Sequence, residues 1–130
     1  MINIEDKIIN EMYEAVMAVS PNANIVSEYV RKPQSFPHVS IIEQYNNTHQ
    51  RAATLSSIDH ASDLMYEVNV YSNLTVGKKN EVKTIMSAIC DRFSALGFLR
   101  NSTMVTPNVE DSTIYRMTAR FERVIGDMEV

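Results

Sequence analysis

Between Leu64 and Phe98 the spacing of apolar residues changes, and this change constrains the fold more than any other feature. In the first part apolar and polar residues alternate, which is typical of a strand with one buried face. After Gly77 the spacing becomes that of an amphipathic helix. Its apolar stripe consists of Val82, Ile85, Met86, Ile89, Phe93 and Leu96. Because such a stripe must be buried, the helix is predicted to pack on the apolar face of the preceding strand.

Elsewhere the chain supplies one more helix and four more strands. Residues 3–19 repeat apolar side chains every three or four positions, which predicts a helix. Two β-like runs, 24–31 and 38–45, flank a Pro-rich break and are predicted to form a hairpin. A short strand at 99–109 and a longer one at 113–125 follow the central helix. The order α-β-β-β-α-β-β predicts one α+β domain over residues 1–130, with two helices on one face of a mostly antiparallel sheet.

Residues 46–63 form a polar segment that interrupts this pattern. Leu55 and Ile58 are its only large aliphatic residues. Burying two such residues contributes about 1.5–3 kcal/mol each, whereas ordering a backbone costs about 1–2 kcal/mol per residue. We therefore expect a projecting loop that is mobile in the isolated subunit and ordered in an assembly, with Leu55 and Ile58 as contact points.

Composition excludes several classes of function. The 130 residues carry a net charge of −4, which argues against sequence-specific or general nucleic-acid binding. No apolar run approaches the ~20 residues of a membrane-spanning helix, so no membrane partner is expected. The single cysteine, Cys90, lies on the central helix and is interpreted as a half-buried spacer rather than a nucleophile.

No residue pattern supports catalysis. His38, His49 and His60 lack the spacing of metal ligands, and the three glycines lie too far apart to form a phosphate-binding loop. No serine stands in a nucleophile-elbow motif. The sequence therefore predicts a protein that is not an enzyme, with no catalytic, metal or cofactor site and no cofactor.

The last strand carries the most prominent charged residues. Arg116 and Arg120 share one of its faces, and Arg123 falls on the other. The arginines could pair with Glu28, Glu43 or Glu67 on neighbouring strands. Alternatively they could form a charged row between subunits or along a channel. Arg116, Arg120 and Arg123, together with Leu55 and Ile58, are the candidate interface residues, and the strand is expected at or near a sheet edge that contacts a neighbouring subunit.

Three fragments resemble a known protein family when taken in order. They are FPHVSIIEQYNN, YEVNVYSNLTVGKKNEVKTIM and LGFLRNSTMVTPNVEDSTIYRMTARFERVI. Together they resemble the tail terminator and tail completion proteins of long-tailed bacteriophages and prophages of Gram-positive bacteria. The resemblance covers roughly residues 36–125 and rests on ordinary residues rather than on a catalytic signature.

The resemblance implies an α+β subunit that forms a ring, typically a hexamer, at the head-proximal end of the tail tube. Such a ring ends tube growth and joins tail to head, so the implied partners are further copies of the chain, the tail tube protein and the head-tail connector protein. The implied location is the virion, after assembly in the bacterial host cytoplasm. Two alternatives remain: a head-completion or connector adaptor of the same particle, and a small ligand-binding or enzymatic α+β domain.

Overall fold

Two helices pack on one face of a five-stranded sheet in the computed structural model, which describes residues 2–48, 61–107 and 111–126. The elements are α1 (Glu5–Val19), β1 (Asn24–Val26), β2 (His38–Thr48), β3 (Ala61–Ser72), α2 (Lys78–Ala95), β4 (Leu99–Val105) and β5 (Tyr115–Gly126). The sheet order is β1-β2-β3-β5-β4, with β1 parallel to β2 and all other neighbours antiparallel. The predicted α+β class and element order are confirmed.

Helix α2 lies over the sheet with the stripe that the sequence predicts. Its buried residues are Val82, Ile85, Met86, Ile89 and Phe93. The Phe93 ring stacks on Phe121 of β5 with 4.3 Å between centroids, and meets Phe98 edge-on at 5.1 Å. Gly97 ends the helix with a φ of 85°, in the left-handed region that favours glycine. The helix is therefore held both by its apolar stripe and by an aromatic cluster on the sheet.

Helix α1 completes the covered face. It buries Ile8, Met12, Ala15 and Val16 against the same core. It is also joined to α2 by an ion pair in which Arg92 Nη1 lies 2.7 Å from Glu11 Oε2. Both helices thus lie on one side of the sheet, and we call the other side the open face.

The hairpin predicted between residues 24–31 and 38–45 is wrong. β1 has only three residues and pairs in parallel with β2, with Asn24 opposite His38. Residues 27–37 bring the chain back beside the first residue of β1, so that β2 starts next to Asn24. An alternating pattern gives the two faces of a strand but not the direction of its neighbour, so the sequence could not separate this arrangement from a hairpin.

The loop predicted over residues 46–63 is shorter than expected. β2 and β3 stay paired as far as Thr48 opposite Ser62, so residues 46–48 and 61–63 belong to strands. The Asn46 side chain also donates a hydrogen bond to the Ile2 carbonyl at 2.5 Å, so this polar residue has a contact within the fold. Residues 49–60, with Leu55 and Ile58, and the mobility expected of them lie outside the described residues.

The last strand is not at an edge. β5 lies between β3 and β4, and the two edge strands are β1 and β4. The polar residues of β5 lie on the face opposite the helices, and this pattern is the same for an inner strand as for an edge strand. β5 is thus one strand away from an edge, next to β4, and its contact with a neighbouring subunit stays a prediction.

Candidate assembly surface

Arg116 and Arg120 project from the open face and contact β3. Arg120 stands opposite Glu67 in the strand register, and its Nε lies 3.1 Å from Glu67 Oε2. Arg116 Nε donates to Asn69 Oδ1 at 3.0 Å, and its guanidinium carbon lies 5.2 Å from the centre of the Tyr71 ring. Of the two interpretations of these arginines, the cross-strand pairing within the chain is present, at Glu67 for Arg120.

Asn69 connects these side chains into one network. It is 1% exposed, and its Oδ1 also accepts from Thr118 Oγ1 at 2.6 Å. Its Nδ2 donates to Glu67 Oε1 at 3.2 Å. The network spans β3 and β5, so the two arginines are already aligned by their own chain before any partner arrives.

Arg123 lies apart from Arg116 and Arg120, as its position on the opposite face of the strand predicts. Its Nη1 donates to the carbonyl of Leu96 at 2.8 Å, at the C-terminal end of α2. A cation at this end of a helix also interacts favourably with the helix dipole. The structure thus does not bring the three arginines into one row, and Arg123 has a role in holding the helix end.

The exposed apolar residues of the sheet gather at β4. Leu99, Met104 and Val105 are 74%, 52% and 56% exposed, and Val124 on the neighbouring β5 is 49% exposed. We call these four residues the edge surface. Leu99 and Val124 line a shallow cavity of about 210 Å³ together with Tyr45. Arg100 is the only charged residue of β4.

The backbone of β4 adds to this surface. β4 pairs with β5 on one side, and no described strand lies on its other side. A long edge strand with unpaired amide and carbonyl groups and few charges favours pairing with another chain, and proteins usually protect such edges. The edge surface is therefore the strongest candidate for a contact with another subunit in the described part of the chain.

His38 and Cys90 occupy packing positions. His38 is 2% exposed, its Nδ1 lies 3.2 Å from Asn24 Nδ2, and burial lowers the pKa of the imidazole. Cys90 is half-buried, as predicted, and burial raises the pKa of its thiol. A raised thiol pKa leaves less of the nucleophilic thiolate. His49 and His60 lie outside the described residues.

Within the described ranges no cluster of three or more His, Cys, Asp or Glu side chains could hold a metal ion. Neither described helix is both long and apolar enough to cross a membrane. The edge surface was not among the predicted interface residues, although the stretch from Leu99 to Val105 contains three large apolar residues and a single charge. No protein-family model and no curated protein matches the chain.

Proposed function

We propose that this chain is a non-enzymatic structural protein of a long-tailed bacteriophage or prophage, which forms a ring at the head-proximal end of the tail tube. The ring ends tube growth and joins the tail to the head. Its partners are further copies of the chain, the tail tube protein and the head-tail connector protein. The observation that carries the proposal is the edge surface, an apolar strand edge open to another chain. The resemblance over residues 36–125 supports the phage assignment.

The shape of the sheet is compatible with a ring. A closed ring needs two unlike surfaces on each subunit, so that the same contact repeats head to tail. One side of the sheet ends in the seven-residue β4, and the other ends in the three-residue β1. Each subunit thus offers two different sides from which such a contact can be built.

A gene deletion with complementation in trans tests the proposal. Deleting the gene should leave separate heads and tails, with tail tubes that exceed their normal length in electron micrographs. Wild-type protein supplied in trans should restore joined particles. Leu99→Asp should fail to restore them, because it places a charge in the apolar contact while changing a side chain that is 74% exposed.

Val76→Asp is the matched control. Val76 is 87% exposed and lies in the turn that follows Ser72, whereas Leu99 stands level with Met65 at the far end of β3, so this variant should restore particles as the wild type does. Normal particles in the deletion strain would contradict the proposed function. Full restoration of joined particles by Leu99→Asp would show that the edge surface has no part in the proposed function.

A further inference from the structure

We infer that β4 of one copy pairs in antiparallel fashion with residues 24–28 of the next copy, so that the sheet continues across the subunit boundary. The inference rests on the proposed ring and names the contact through which that ring forms. It identifies the partner of the edge surface as a second copy of this chain.

The first support is a mismatch between sequence and structure at β1. Residues 24–31 alternate like a strand, yet the strand ends at Val26. The following Ser27, Glu28 and Tyr29 are exposed, and Tyr29 is 64% exposed. β1 pairs with β2 on one side and with no described strand on the other. A strand-like sequence beside an open edge favours completion by a strand from another chain.

The second support is the direction of the strands. β1 is parallel to β2, and three successive antiparallel pairings from β2 through β3 and β5 lead to β4. β4 therefore runs opposite to β1 within one sheet. When copies are placed side by side in the same orientation, β4 of one meets β1 of the next in the antiparallel arrangement.

The third support is the match of faces. Ser102 stands opposite Arg120, and Val26 stands opposite Ser40, so both lie on the open face. Pairing Ser102 with Val26 of the next copy keeps the helices of both copies on the same side of the joined sheet. A shift of one residue would place these side chains on opposite faces.

Cysteine cross-linking tests the contact. Ser102→Cys and Val26→Cys are combined in a Cys90→Ser background, and purified protein is oxidised. Within one chain the two positions lie on opposite edges of the sheet, about 19 Å apart at about 4.8 Å per strand, whereas a disulfide needs Cα atoms within about 7 Å. Every bridge formed must therefore join two copies.

The double variant should give a ladder of linked chains that ends at the ring size, and each single variant should stay unlinked. Dimers from Ser102→Cys alone would show that two β4 edges pair with each other and would overturn the inference. Rings in electron micrographs without bridges in the double variant would overturn the inference and leave the proposed function standing. The absence of both rings and bridges would reject both.

Discussion

A single amide, Asn69, organises the polar side of the sheet. An asparagine offers both an acceptor and donors, so one side chain can accept from Arg116 and Thr118 while it donates to Glu67. The sequence identified Glu67 as a possible partner for the arginines, because opposite charges on neighbouring strands attract. It gave no sign of Asn69, since an amide at a polar strand position does not reveal which strand lies beside it.

Replacing this amide should destabilise the fold. Asn69→Ala leaves Arg116 Nε without its acceptor and removes one of the two oxygens that the Thr118 hydroxyl contacts, and we expect a loss of about 1–3 kcal/mol in the free energy of unfolding. Asn47→Ala removes an exposed amide from the same face and should cost less than about 0.5 kcal/mol. Equal losses in urea unfolding would show that the network does not contribute to stability.

His38 should make stability depend on pH. Burial lowers the pKa of the folded imidazole below its ordinary value of 6.5, so the unfolded chain binds the proton more readily. The free energy of unfolding should therefore fall as pH drops below about 6.5, until the pH reaches the lowered folded pKa. Urea titrations between pH 7.5 and 5 measure this slope.

His38→Phe is the control for the pH dependence. It keeps a ring beside Tyr71, whose centroid lies 5.6 Å from the imidazole, but it cannot bind a proton. Its unfolding free energy should depend less on pH than that of the wild type over the same range. An unchanged slope would mean that other groups cause the dependence.

The helices and strands differ in how much of them the sequence could predict. α2 and β3 follow from local periodicity, since each buries one face and the residues that do so recur at a fixed spacing. The partner of each strand is a non-local property. For this reason the parallel pairing of β1 and the continuation of the β2–β3 pairing into residues 46–48 and 61–63 were not predicted correctly. The sequence also did not distinguish an edge position of β5 from its place one strand inside the edge.

The buried stripe of α2 gives a direct test of that element. Ile85 and Ile89 are 1% and 0% exposed, so truncation of either to alanine should lower the free energy of unfolding by about 2–5 kcal/mol. Lys79→Ala, on the exposed side, should change it by less than about 0.5 kcal/mol. Similar losses for all three variants would contradict the packing of this helix.

The molecule as a whole has one covered face, one open face and two unlike edges. The helices lie on the covered face, and a polar network on the open face joins the inner strands β3 and β5. At one edge, β4 exposes its backbone and its apolar side chains. The arginines chosen from the sequence as interface candidates make contacts within the chain, whereas the apolar residues of β4 lie at an edge because the strand order places β4 outermost. Assembly through the edges is thus a property of the whole sheet.

The mass of the purified protein in solution tests assembly most directly. Light scattering across a range of concentrations should show one closed oligomer whose mass is a whole-number multiple of 14.8 kDa and does not grow further as concentration rises. Electron microscopy of the same sample should show rings. A particle of 14.8 kDa at every concentration, or growth without limit, would contradict the proposed ring.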